Sequence, residues 1–190
     1  RDRLSALNHE NKDGDTVLMY ASRWGRAETV QGILKAYPDS DRLSALQHTS
    51  KSGRTALFYA VSHGHAEVVK LLLQVLPSDD RVQAITLTDN DGSHSITNLC
   101  KHALNDKYPI FENTITALFE PLSYSESVSI LGYIESDGYT LTPFVKNLVA
   151  VQLKRKAPQQ SYSSILMPLS IFARSVFVRP QSNDYACRLS

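Results

Sequence analysis

An all-α solenoid of about four helix-turn-helix units, with a helical C-terminal cap, is the fold this sequence predicts. Three observations carry that expectation. The segment Asp2-Arg3-Leu4-Ser5-Ala6-Leu7 recurs letter for letter as Asp41-Arg42-Leu43-Ser44-Ala45-Leu46, an offset of 39 residues. At that offset residues 2–38 and 41–77 share 19 identities in 37 positions, against about two from average residue usage. Turn glycines fall at Gly14, Gly53 and Gly92, and at Gly138 after seven extra residues. A fixed period of this kind marks units that cannot bury their apolar faces alone and do so by stacking.

Each unit reads in the same order. Polar clusters (Asn11-Lys12-Asp13, Ser50-Lys51-Ser52) precede Gly14 and Gly53, which is turn chemistry. Thr16 and Thr55 follow and suit helix N-caps, with Thr140 at the same place after Gly138. A short first helix carries Val17, Met19, Tyr20 and Ala21 in one copy and Ala56, Phe58, Tyr59 and Ala60 in the next, ending at Gly25 and Gly64. Ala27-Glu28 and Ala66-Glu67 open a second helix. Its apolar stripe is Val30, Ile33, Leu34 and Tyr37, then Val68, Val69, Leu72, Leu73 and Leu76, and Pro38 and Pro77 stop it. The next stretch suits a short linking helix capped by Ser40 or Asp41, with Leu43 and Leu46 inward. In the third copy Ile115, Leu118 and Phe119 form the second-helix stripe, after an insertion near residues 105–113.

The segments Gly53-Arg54-Thr55-Ala56-Leu57-Phe58-Tyr59-Ala60 and Gly64-His65-Ala66-Glu67-Val68-Val69-Lys70-Leu71-Leu72-Leu73 resemble the ankyrin-repeat pattern, and residues 14–30 are a looser copy. The resemblance implies helix pairs stacked side by side and a protein that works by binding other proteins. These units are longer than the usual ~33 residues. They also lack the family's usual proline and histidine, holding Val17 and Ala56, and Met19 and Phe58, at those places. Long divergent units of this style resemble ankyrin effectors of intracellular bacteria, which implies a protein secreted into a host cytosol.

The array is expected over residues 1–140, a last repeat or helical cap over 141–178, and a tail over 179–190. In the C-terminal part Thr142-Pro143 opens a helix, residues 165–178 read as a core helix broken at Pro168, and Lys154-Arg155-Lys156 reads as a solvated helix end. The chain begins at Arg1 and reads as a fragment, a processed form or the ordered part of something longer.

Composition narrows the function. A net charge of +1 over 190 residues gives no general attraction to nucleic acid. Cys100 and Cys187 make no disulfide framework, so a reducing, cytoplasmic compartment is the simpler reading. No apolar run is long enough to span a membrane. Cys100 and His102 stand two apart and do not face each other on a helix. His63-Gly64-His65 offers two histidines without a third metal ligand, so no metal and no cofactor is expected. No phosphate-loop, dinucleotide, nucleophile-elbow or zinc-protease motif occurs.

The expected function is therefore a non-enzymatic interaction module presenting turn tips and the exposed first-helix face to a partner protein. The alternative is the non-catalytic targeting part of an enzyme whose catalytic domain lies elsewhere. Residue by residue, the resemblance places the contact surface at the tips Lys12, Asp13 and Asp15, then Lys51, Ser52 and Arg54, then Asn90, Asp91 and Ser93, with Arg23, Trp24, Ser62 and His63 on the first helices. Trp24, the only tryptophan, is the sharpest candidate, because interface energy concentrates in Trp, Tyr and Arg. The insertion, with Tyr108, Pro109, Ile110 and Phe111, is the second.

Overall fold

The computed structural model describes residues 2–103 and 108–136, together with helical residues 150, 151, 153, 155 and 156. Ten named helices follow in order: α1 (Asp2–Leu7), α2 (Val17–Arg23), α3 (Ala27–Ala36), α4 (Asp39–Gln47), α5 (Ala56–Ser62), α6 (Ala66–Val75), α7 (Ser78–Thr86), α8 (Ser95–Ala103), α9 (Tyr108–Phe119) and α10 (Tyr124–Ser136). Among the described residues the only β pairing is an isolated bridge between Thr88 and His94. None of these helices is long and apolar enough to cross a membrane.

The 39-residue period is visible in three dimensions. First helices α2, α5 and α8 pack in a row, second helices α3, α6 and α9 form a second row, and α4 and α7 link one unit to the next, with α1 ahead of the first. Thr16 and Thr55 cap α2 and α5 as expected, their hydroxyls accepting from Met19 and Phe58 amides. Gly25 ends α2 at φ +65°, and a Cβ there would lie 2.4 Å from the His65 ring, so this close approach of neighbouring units requires glycine.

Helices of seven to ten residues are marginal alone. Here they share a continuous core of Leu18, Met19, Val30, Leu57, Val69, Leu72, Leu73, Ile96, Ile115, Leu118 and Phe119. Burial of each such large side chain contributes about 1.5–3 kcal/mol. Met19 and Phe58 are fully packed at the places where the resemblance expects histidine.

Three expectations change. The linking helix α4 has no side-chain cap: it starts at Asp39 directly after Pro38, whose φ of −57° already suits a helix start. From α4, Arg42 braces the C-terminal end of α3, its Nε donating to Leu34 O at 2.8 Å, a role Arg81 repeats toward Leu73 O at 3.1 Å. Val17 and Tyr20, two of the four apolar positions read at helical spacing on α2, are exposed, whereas Met19 and Ala21 are buried. Lys156, read as solvated, is half-buried and donates to the carbonyls of Phe119, Glu120 and Leu122, because the end of α9 leaves those acceptors without helix partners. Burial pushes the Lys156 ammonium below its usual range, against the attraction of Glu120 and Glu126.

The insertion near 105–113 is in part an early start of α9, at Tyr108. Residues 104–107 and the side chains of 108–111 lie outside the described residues, as do Gly138, Thr140, residues 141–149 and the tail. α10 starts with a reciprocal cap in which the Glu126 amide donates to Ser123 Oγ and the Ser123 amide to the Glu126 carboxylate.

Candidate functional site

The tips are built three times from the same local bonds. Asn11, Ser50 and Asp89 open the turns, and each accepts from the glycine amide three residues on: Gly14, Gly53 and Gly92. Their side chains accept a further amide, from Asp15, Arg54 and Ser93 respectively. Each tip is thus rigid before it meets its neighbour.

Neighbouring tips are then joined. The Lys51 amide donates to Asp13 O at 3.0 Å and the Asn90 amide to Ser52 O at 3.0 Å. The side chains repeat the pattern: Lys51 Nζ donates to Lys12 O and Asn90 Nδ2 to Lys51 O, both at 2.8 Å. The result is one ridge running across the units. Lys12, Asp13, Lys51, Asn90 and Asp91 are exposed along it, and Ser52 and Ser93 are half-buried.

Arg54 is half-buried and occupied within the fold. Its Nε and Nη2 donate to Asp89 Oδ2 at 3.1 and 2.9 Å, and its guanidinium lies over the Phe58 ring at 5.5 Å. Burial of Asp89 opposes ionisation, but amide hydrogen bonds from Ser93 and Asp91 and the paired Arg54 outweigh it and hold the carboxyl below its ordinary range. Arg54 therefore ties the second tip to the third.

Two expected contact residues are not on the surface. Asp15 is buried and accepts the Tyr59 hydroxyl at 2.9 Å, so it bonds the next unit instead of solvent. Ser62 is buried at the end of α5, with no hydrogen-bond partner for its hydroxyl among the described residues.

Beside the ridge lie the C-terminal ends of the first helices. Trp24 is 58% exposed and rests against Tyr20, with ring centroids 6.2 Å apart. Arg23 is exposed and reaches over the Tyr59 ring at 5.6 Å. His63 is exposed and stacks on His65 at 6.2 Å, while His65 Nε2 sits 3.0 Å from Arg23 O. Tips and first-helix ends thus form one continuous, mostly polar edge that carries the Tyr20–Trp24 aromatic pair. Among the described residues no group of three His, Cys, Asp or Glu side chains is placed to hold a metal. The side chains of Cys100 and His102 lie outside the described residues.

Inter-unit bonds were the part that sequence reasoning missed. One signal was available: Tyr20 and Tyr59, and Arg42 and Arg81, recur at the 39-residue offset.

This geometry defines an all-helical repeat solenoid with one ordered edge of tips. Residues 3–84 match the family described as ankyrin repeats (3 copies). Ankyrin repeats are in general protein–protein interaction modules. No curated protein matches the chain.

Proposed function

We propose that the chain is a non-catalytic module that receives one partner protein along the tip ridge and the adjoining first-helix ends. The contact set is Lys12, Asp13, Lys51, Ser52, Asn90 and Asp91 on the tips, with Arg23, Trp24 and His63 beside them. Arg54 and Ser93 lie at its margin. Asp15 and Ser62 drop out because they are buried. The array occupies residues 1–140 in this reading, with 141–178 as last unit or cap and 179–190 as a tail.

One observation supports this reading above the others: the only tryptophan is 58% exposed, braced by Tyr20 and flanked by Arg23. An indole held in solvent adds little to the core, whereas interface energy concentrates in Trp, Tyr and Arg. The mixed charges of the ridge (Lys12, Asp13, Lys51, Asp91) suit selection among partners more than raw affinity. Trp24→Ala is expected to weaken partner binding by about 2 kcal/mol, roughly thirty-fold in Kd. Calorimetric titration with the captured partner measures this, with thermal melts as the stability control. Unchanged binding with a large loss of melting temperature assigns Trp24 to the fold and removes the proposal.

The resemblance to effectors of intracellular bacteria adds a cellular setting, export into a host cytosol and a host protein as partner. Fusion to a translocation reporter tests it: signal in infected cells that requires the bacterial export machinery supports the setting, and its absence overturns it.

A further inference from the structure

The 39-residue register allows the same place to be compared in two successive units, and the two places differ. In the first, Tyr37 at the end of α3 is buried and donates its hydroxyl to Asn8 Oδ1 at 2.8 Å. The His48 ring, at the end of α4, lies 3.3 Å from the Glu10 carboxylate. These two contacts tie the segment that follows α1 to the ends of α3 and α4.

One unit later the bridging groups are gone. Leu76 stands in the place of Tyr37, Leu87 in that of His48 and Thr49 in that of Glu10, while Gln47 stands in the place of Asn8. Leucine has neither the outer part of a phenol ring nor a polar atom, so neither contact can form here. An open cavity of about 420 Å³ lies at this place, between α4 and α7, with Leu76 in its wall. Leu46 and Leu76 are buried in the lining, and Ala84 and Leu87 are half-buried. Gln47 and Asp80 add an amide and a carboxylate, and among the described residues neither side chain has a hydrogen-bond partner. A largely apolar wall with a few polar groups, at a volume of roughly 300–1,000 Å³, is the usual form of a small-molecule site.

We propose that this cavity binds a small neutral phenol, with its ring against Leu46, Leu76 and Leu87 and its hydroxyl donating to the Gln47 amide oxygen. The chain itself shows which group suits the place: Tyr37 and Asn8 make the same pair one unit earlier. Asp80 offers the hydroxyl a second acceptor and repels carboxylates and phosphates, so it selects a neutral ligand. None of the lining residues belongs to the partner contact set. The phenol site and the partner edge therefore fail separately.

The test titrates the chain with p-cresol, the tyrosine side chain as a free molecule, and follows the methyl resonances of Leu46, Leu76 and Leu87. Saturable shifts are expected, with Kd on the order of 1 mM for so small a ring. Toluene, which lacks the hydroxyl, is expected to bind about fivefold more weakly. Gln47→Ala should weaken p-cresol by the same factor and leave toluene unchanged. Leu76→Tyr places the first unit's own ring in the cavity; it should abolish the shifts while the urea midpoint stays the same or rises. Absence of shifts up to the solubility of p-cresol, equal affinity for toluene, or shifts that survive Leu76→Tyr overturns the proposal. Binding of a tyrosine-containing peptide without binding of p-cresol also overturns it, assigning the cavity to a partner's side chain.

Discussion

Replacing Gly14 by alanine probes the joint between tips, and Gly92→Ala supplies the control. Both glycines sit at positive φ, +77° and +72°, where an L side chain costs roughly 1–2 kcal/mol. They differ in surroundings. A Cβ on Gly14 would lie 2.9 Å from the Lys51 backbone nitrogen and 3.1 Å from Lys51 Cγ, whereas among the described residues a Cβ on Gly92 meets nothing within 4 Å. The Lys51 nitrogen is the donor to Asp13 O, so relief of the clash stretches the bond that joins the first two tips. Loss of that bond adds about 0.5–1.5 kcal/mol. Gly14→Ala is thus expected to cost about 1 kcal/mol more than Gly92→Ala. Urea unfolding followed by circular dichroism gives both values, and hydrogen exchange at the Lys51 amide reports the joint itself. Equal losses for the two variants, or an unchanged Lys51 amide in Gly14→Ala, would refute the stacked-tip reasoning.

Other perturbations test the remaining joints. Because amide hydrogen bonds from Ser93 and Asp91 and the paired Arg54 outweigh burial and hold the Asp89 carboxyl below its ordinary range, its contribution is fully present above the unfolded pKa and is lost as pH falls through the folded one. Asp89→Asn should therefore flatten the acid limb of a stability–pH profile below about pH 4 and cost about 1.5–3 kcal/mol at neutral pH; an unaltered acid limb contradicts the Arg54–Asp89 link. Tyr59→Phe removes the donor to buried Asp15 and should cost about 1–3 kcal/mol in the same unfolding assay, while Tyr20→Phe, at an exposed position, should stay within about 0.5 kcal/mol. Similar values for the two tyrosines contradict the assigned register.

Local signals explain why so much of the fold is legible. The period, the Gly14 and Gly53 turns, the Thr16 and Thr55 caps and the stripes of α3 and α6 each depend on residues within one unit. Errors fall where the deciding partner is distant. Asp15 looks like a tip residue until Tyr59, 44 positions away, takes its carboxylate. Arg54 looks free until Asp89, 35 positions away, engages it. Ser62 reads as exposed because the resemblance places it on the open face of the first helix, yet it is packed inside the array. Helical periodicity marks Val17 and Tyr20 as apolar but cannot separate a buried side from an exposed one. Lys156 similarly depends on carbonyls of a helix end 34 to 37 residues away.

The central claim is that a partner meets one edge of this solenoid and no other. Site-specific photo-cross-linking tests it directly, with the reactive residue placed in turn at Trp24, at Lys51, and at the exposed second-helix positions Lys35 and Gln74. Adducts with one protein are expected at Trp24 and Lys51 and none at Lys35 or Gln74. Adducts concentrated at Lys35 and Gln74 would contradict it.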